Sequence, residues 1–517
     1  MSALKKILAT ACLGMVAATA AAQQPRSGGV LNIRLNADIR SLEPGVNRDT
    51  NTDNVLNQVF EGLVAYRADM SVGPALADSW TVSDDGRSYR FVLRDGVKFH
   101  DGAPLTSAEV KWSWERLSKA PGWQCRNVFD GSQGVKVVDV DASDPHVVVY
   151  RLEKPNGIFL KQLANIQCAV LVSHPDSVDA QGNWRAPIGT GPFRFNAWKH
   201  NQSIELDRFA DYRPSASPAS GYSGARVAYV DHVRFSVVPD DSAALAALQT
   251  GAIDVMTEVQ PEHIATLKTA GLVVLTEPGL ARDALLINDK DPLLSNPKIR
   301  QAIAEAIDRD EIAETRSLGL AKANSSAVST AMTYFDPALL AWPAYDPTHA
   351  TALLKEAGYH GEPIVLQTNK RYPGMDANSV MLQAMLAAVG FNVQLQVLDW
   401  ATQLDHYLRS DFQLQSFAYS GRFDPALTYA TFLADRTRFK WAQWDDPKAQ
   451  DLLREAMETS DEGRRKQIFL DLHAMMAASL PTIGLFYEPA VDAVGASVRG
   501  YQIWAPDRPI AWGVWKE

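Results

Sequence analysis

Apolar and polar positions alternate in the first quarter of the chain. Leu31, Ile33 and Leu35 fall on one face of a predicted strand over Asn32–Asn36. Trp80–Val82 and Ser88–Leu93 flank the turn Ser83-Asp84-Asp85-Gly86, the pattern of a hairpin. The period then changes. Thr106 and Glu109 form a capping-box pair, and Val110, Trp114 and Leu117 follow at helical spacing. Strands are predicted again at Gly134–Val140 and Pro145–Leu152. A Pro/Ser/Gly-rich surface loop is predicted over Arg213–Arg226, and a short alanine-rich helix over Ala243–Thr250.

Beyond Pro278 helices and strands alternate. Asn296 caps a helix with Pro297 at its first position, and Ile299, Ala302, Ile303, Ala306 and Ile307 mark one buried stripe. A helix over Ser379–Val389 stops at Gly390, and Phe391, Val393, Leu395 and Val397 then alternate as a strand. This is the step of an α/β fold. Helices follow near Asp446–Thr459 and Glu462–Ala478. Strands are predicted at Gly484–Tyr487 and in the Trp-rich segment Tyr501–Trp515. No fixed-period repeat occurs.

The N-terminus changes the picture. Lys5 and Lys6 precede an apolar run, Ile7–Ala20, that ends in Ala20-Ala21-Ala22. This is the layout of a secretory signal peptide over 1–22, too short for a spanning helix. Cys12 lacks the leucine three positions upstream that marks a lipid-attachment cysteine. Loss of this segment, with two lysines and no acid, takes the formal net charge from -10 to -12. An acidic exported chain argues against nucleic acid as a partner. Apolar and charged fractions of 46% and 21% are those of a globular protein. The length calls for two or more lobes. Of the 3 cysteines, Cys125 and Cys168 remain after cleavage, and an oxidising compartment favours a disulfide over two buried thiols.

Reaction chemistry is missing. There is no His-Glu-x-x-His, no Gly-x-Ser-x-Gly elbow and no Cys-x-x-Cys. Gly189-Thr190-Gly191 runs into Pro192 without the third glycine of a dinucleotide loop. The sequence points to a binder, with no cofactor and no catalytic residue.

Several segments in order carry a resemblance. They are Ser41-Leu42-Glu43-Pro44, Val59–Leu63, Pro74–Trp80, Phe91–Gly102, Gly189–Phe193, Leu248–Val255 and Lys298–Ile303 continuing to Arg309. Together they resemble the large periplasmic solute-binding proteins (family 5) that serve ABC importers of dipeptides and oligopeptides, from about Gly28 to the C-terminus. The resemblance implies a two-lobed α/β periplasmic binding protein fold with two hinge crossings. Lobe I would take 23–278, with an extra N-terminal subdomain, and 486–517; lobe II would be inserted over 279–485. It also implies a monomer that closes on a peptide or other small carboxylate-bearing nutrient and docks on a membrane permease. A sugar, a metal chelate or a heme-type ligand are alternatives within the fold. A periplasmic hydrolase and a chaperone-like binder are alternatives outside it.

Dipeptide binders of this family hold the peptide amine with an aspartate just before an Asp-Pro pair. Here the pair is Asp424-Pro425, and Gly421 takes the aspartate's place, with Arg422 beside it. Arg422 is therefore the candidate for an anionic ligand group, which a guanidinium binds bidentately, unless it pairs with Asp424 or a neighbour. Arg371, next to Tyr372, lies near the position of the family's carboxylate-binding arginine, with a solvated loop arginine as the alternative. Trp400 matches a common aromatic of the family's pocket wall, with core packing as its alternative role, and Tyr419 carries an amphipathic ring in the segment Phe417–Pro425. Thr50 and Asn51 belong to the loop that reaches the ligand backbone, although their short polar side chains also suit a turn or helix cap.

Overall fold

The computed structural model describes residues 24–517 apart from 124, 133 and 169. The expected signal segment 1–22, with Cys12, lies outside the described residues.

Two separate sheets organise the chain, and each gathers strands from distant parts of the sequence. A seven-stranded sheet runs in the order Val273–Glu277, Ala490–Val494, Val255–Met256, Val30–Leu35, His232–Val237, Ser203–Arg208, Phe193–Lys199. The first strand lies at its centre, parallel to His232–Val237, with Leu31, Ile33 and Leu35 fully buried. A five-stranded sheet runs Asn392–Leu398, Pro363–Asn369, Leu414–Tyr419, Arg282–Ile287, Thr482–Tyr487. Its strand Arg282–Ile287 is buried throughout, as a strand covered on both faces must be. Helices pack on this sheet. Among them is Pro297–Ala306, where the Asn296 side chain accepts from the Lys298 amide and the Ile299/Ala302/Ile303/Ala306 stripe is buried. The two-lobed α/β architecture expected from the resemblance is present.

The chain leaves the first sheet after Glu277 and joins the second at Arg282. It returns between Tyr487 and Ala490. The boundary expected at Leu485 falls inside the strand Thr482–Tyr487, which is still paired to Arg282 through Tyr487, so the return crossing is Glu488–Pro489.

A four-stranded antiparallel sheet, Ala77–Val82, Ser88–Leu93, Val147–Leu152 and Val137–Asp144, forms a subdomain beside the first lobe. The predicted hairpin is its first pair. Helix Ser107–Lys119 packs against it with the capping box intact: the Thr106 amide donates to Glu109 Oε2 at 2.8 Å. The expected disulfide joins Cys125 and Cys168 in this subdomain, with their Cα atoms 5.5 Å apart.

The subdomain also touches the second lobe. One apolar cluster runs from Phe91, Trp114 and Phe159 across Tyr66 to Phe423, Tyr429 and Phe469. Tyr66 and Phe423 stack at 5.2 Å. The Gly157 amide donates to Met457 O at 2.9 Å, and a Cβ on Gly157 would meet Thr459 O at 1.8 Å, so only glycine permits this backbone approach. Beside this seam, Lys161 Nζ sits 2.9 Å from Asp424 Oδ2, and Arg465 holds Asp424 Oδ1 at 2.6 Å.

The Trp-rich C-terminal segment departs from its predicted strand. Only Val498–Arg499 and Trp515–Lys516 pair; the rest is a loop. Its rings pack as a cluster instead, Trp504 and Trp512 lying 4.8 and 5.3 Å from Tyr222, and Pro506 and Pro509 interrupt any ladder.

Candidate ligand-binding cleft

The two crossings run side by side, with the Glu488 amide donating to Ala281 O at 2.9 Å. They form the floor of a cleft of about 930 Å³ between the lobes. That volume lies in the range of small-molecule and cofactor sites. The first lobe supplies Thr50, Glu258–Glu262 and Ala505–Arg508. The second supplies Arg316, Tyr372, Gly374, Met375, Ser420 and Gly421. Gln167 reaches in from the subdomain, on the turn that the disulfide ties down at Cys168.

Two guanidiniums face this space. Arg316 is aimed by a relay: its Nε donates to Asn378 Oδ1 at 3.1 Å, and Asn378 Nδ2 donates to Asp283 Oδ2 at 2.7 Å. Arg508 is held by its backbone. Trp504 Nε1 donates to Arg508 O at 2.9 Å, and Gln58 Nε2 donates to Pro509 O at 3.0 Å, which fixes the loop to the helix Thr50–Val59. The Arg508 side chain makes no ion pair among the described residues, and its Nε is buried without an acceptor. A buried donor left unpaired costs about 1–3 kcal/mol, so this group is poised for an acceptor that enters the cleft.

Acidic groups are more numerous. Glu258, Glu262, Glu488 and Asp507 all face the cleft, whereas Asp241 is tied to Arg34 at 2.5 Å. Burial and then Glu488 push the Asp283 carboxyl up to about 8. Burial raises Glu488, which is hemmed by protein although it opens to the cleft. Burial lifts Asp492 to about 6, and burial with Asp492 as neighbour carries Asp507 well above the ordinary carboxylate range.

These shifts fix the sign of a pH effect. Each of these four folded-state pKa values lies above its unfolded value, so these carboxyls bind more protons in the folded chain than in the unfolded one between about pH 4 and pH 8. His100, which burial lowers to about 4, and His473, which burial also lowers, act the other way below about pH 6.5. The stability that the carboxyls contribute is fully present below their window and is lost as pH rises through it. The ligand-free melting temperature is therefore expected to fall from pH 7 to pH 8, above the histidine range, where Asp283 and Asp507 ionise. Asp283→Asn, which cannot ionise, should flatten the slope. A melting temperature that climbs over this range in the wild type would contradict the assignment.

The residues singled out from sequence divide into two groups. Thr50, Tyr372 and Gly421 line the cleft. A Cβ on Gly421 would lie 2.8 Å from the Leu280 Cβ of the first crossing, so the packing leaves no room for a side chain there. The remaining residues stand behind or beside the wall. Asn51 Nδ2 donates to Asn36 Oδ1 at 2.8 Å in a small adjoining pocket. Trp400 lies edge-on to Tyr372 at 5.0 Å and packs on Phe417. Tyr419 is buried, its hydroxyl donating to Gln443 Oε1 at 3.2 Å. Arg371 is exposed, 5.8 Å over the Tyr372 ring. Arg422 does not pair with Asp424; its guanidinium donates to Ser420 O at 3.0 Å, and burial lowers its pKa. The sequence reading did not single out Arg316, Arg508, Asp507, Glu258 or Glu488. Tyr372 and Met375 reach the cleft because the helix expected over Ser379–Val389 begins six residues earlier, as Pro373–Ala388.

Comparison with known proteins agrees with this arrangement. The profile of bacterial extracellular solute-binding proteins, family 5 Middle, matches residues 71–441. The glutathione-binding protein GsiB of Pectobacterium atrosepticum is 28% identical over 490 residues, covering 91% of this chain and 91% of that protein. Among solved structures, the ABC transporter-associated periplasmic binding protein DppA from Helicobacter pylori in complex with the peptide STSA is similar with a TM-score of 0.73 and 25% identity. It covers 95% of this chain and 99% of that one. HbpA2 from Haemophilus parasuis shares the fold with a TM-score of 0.82 at 24% identity, covering 95% of this chain and 100% of its own.

Proposed function

The chain belongs to the family 5 bacterial extracellular solute-binding proteins, a family of binders and not of enzymes, and from that premise we propose that it captures a short peptide, or an amino-acid conjugate of similar size, between its lobes. In this reading the ligand bears a free carboxylate. The loaded protein delivers it to the membrane permease of an ABC importer, outside the cytoplasm and after loss of 1–22. No described helix is long and apolar enough to cross a membrane.

The observation that carries the reading is Arg508, a guanidinium with a buried, unpaired Nε facing a cleft between two lobes. A ligand carboxylate supplies the acceptors it lacks, and a planar fork binds that group bidentately. Arg316 offers a second cationic contact from the other lobe. Contacts made to both lobes at once exist only when the lobes approach, so ligand binding and closure are the same free-energy change. Glutathione is the first candidate, since relatives bind it and it carries two carboxylates and an amine.

Thermal melts and small-angle scattering test this with glutathione, di- and tripeptides, oligosaccharides and iron–EDTA. A peptide-class ligand should raise the melting temperature by mass action and reduce the radius of gyration. A response confined to the sugars or the chelate would overturn the ligand class. Tight binding with unchanged scattering would overturn closure.

A further inference from the structure

Resting on the peptide reading, we infer that Gln167 is the residue by which the subdomain reads a peptide group of the ligand, and that the turn tied by the Cys125–Cys168 disulfide positions it. Among the described residues Gln167 is the subdomain's contribution to the cleft wall. The charged groups of that wall, such as Arg316, Glu488 and Arg508, suit the ends of a peptide. A carboxamide suits its middle, because it carries both an acceptor and donors and so matches the C=O and N–H of a peptide group. The Gln167 side chain is half-buried and makes no hydrogen bond among the described residues, so its amide is left for what enters the cleft.

The turn that carries Gln167 depends on its neighbours for rigidity. Ile166–Cys168 is a single 3-10 turn, a form whose hydrogen-bond geometry is too poor to hold it alone. Asn165 Oδ1 accepts from the Gln167 amide at 3.0 Å, and the Cys168 amide donates to Asn165 O at 3.0 Å. Ile166 is buried in the apolar cluster that also contains Phe159 and Leu163. The disulfide then fixes the residue after Gln167 to the buried Cys125, whose Sγ lies 3.5 Å from the Gln167 carbonyl oxygen. Upstream, the same short segment carries Lys161, which meets Asp424 of the second lobe. Residues 161–168 therefore run from the seam between subdomain and second lobe to the cleft. A neutral hydrogen bond repays the desolvation of its partners only when distance and angle are good. A bridge on the residue next to a ligand-facing amide therefore acts on affinity as well as on stability.

The test uses triglycine, S-methylglutathione, whose blocked thiol cannot exchange with the bridge, and aminooctanoate, which has the length and end charges of triglycine but no amide. Calorimetry compares wild type with Gln167→Met, which keeps the side chain's length and removes its polar atoms. In the oxidised protein Gln167→Met should weaken triglycine and S-methylglutathione by about 3- to 10-fold, the scale of one neutral hydrogen bond, and leave aminooctanoate unchanged. Reduction by a phosphine should bring the affinity of wild type for triglycine down to that of Gln167→Met and lower Gln167→Met no further, because the two changes remove one contact. Melting temperatures should fall on reduction by the same amount in both proteins. If the reduced protein unfolds at the assay temperature, Asn165→Ala, which takes the acceptor from the Gln167 amide with the bridge intact, replaces reduction in the same cycle. Equal binding of both peptides by wild type and Gln167→Met overturns the contact and leaves the peptide reading standing. A loss that aminooctanoate shares makes Gln167 structural and also overturns the contact. An equal loss in both proteins on loosening the turn overturns its positioning role. No binding of triglycine or S-methylglutathione by wild type overturns the peptide reading and this inference with it.

Discussion

Arg508→Gln is expected to weaken binding of a carboxylate-bearing peptide by about 30- to several-thousand-fold, the equivalent of about 2–5 kcal/mol for truncating one partner of a buried, hydrogen-bonded charge pair. Among the described residues the side chain makes no hydrogen bond or ion pair, so the folded state loses only its longer-range attraction to Asp53 and Asp507. Unfolding midpoints should stay close to wild type while calorimetric affinity collapses. Arg508→Lys should recover only part of the affinity, because an ammonium cannot form the planar fork. Arg422→Gln is the matched comparison. Its guanidinium already donates to Ser420 O, so its removal is expected to change affinity much less. If Arg422→Gln abolishes binding and Arg508→Gln does not, the anion is held by the inserted lobe and the assignment to the first lobe is wrong.

Asp424→Ala is expected to cost about 3–5 kcal/mol of stability, the range for removing one member of a buried ion pair. Asp424 is fully buried between Lys161 and Arg465 and also accepts from the Ala426 amide at 2.9 Å. Burial alone would push its carboxyl up, but Arg465 and Lys161 outweigh this and hold it below the ordinary range. Without it, Lys161 keeps Glu462 at 3.7 Å, but Arg465 is left buried with no other ion-pair partner among the described residues, and its Nε and Nη1 are already unpaired. Denaturant unfolding measures the loss, and a change under 1 kcal/mol, on the order of a surface pair, would show that water reaches the site. Lys161→Met separates the lobes' contribution. It deletes the partner from the subdomain and leaves Asp424 with Arg465, so it should lower ligand affinity more than it lowers stability.

The parts of this fold that are legible in the sequence are those decided locally. The hairpin around Ser83–Gly86, the Thr106/Glu109 box, the Asn296-Pro297 cap and the step at Gly390 each rest on residues within a turn or two of one another. The cleft is not of that kind. Thr50, Glu258, Arg316, Glu488 and Asp507 meet only because the chain crosses twice between sheets. Arg316 sits in Arg309–Ser317, a polar helix whose sequence reads as a solvated surface. Arg508 is hidden by its neighbours: Trp504, Ile510, Trp512 and Trp515 suggest a strand, whereas Trp504 and Trp512 gather around Tyr222 and leave the Pro-Asp-Arg-Pro stretch free to turn into the cleft. At Gly421 the chain states that a side chain is missing, but only Leu280, distant in sequence, gives the reason.

The part of the seam where Gly157 meets Thr459 and Asp424 bridges Lys161 and Arg465 lies outside the cleft lining. Its contacts therefore favour the joined lobes by the same amount whether the protein is loaded or empty. Strengthening the seam raises affinity, because less of the binding energy is spent on closure. It also raises the share of empty molecules that have the shape of full ones. Only contacts made inside the cleft, such as the one proposed for Arg508, distinguish the two. The seam thus sets the background against which a transporter must read occupancy, and the cleft sets the signal.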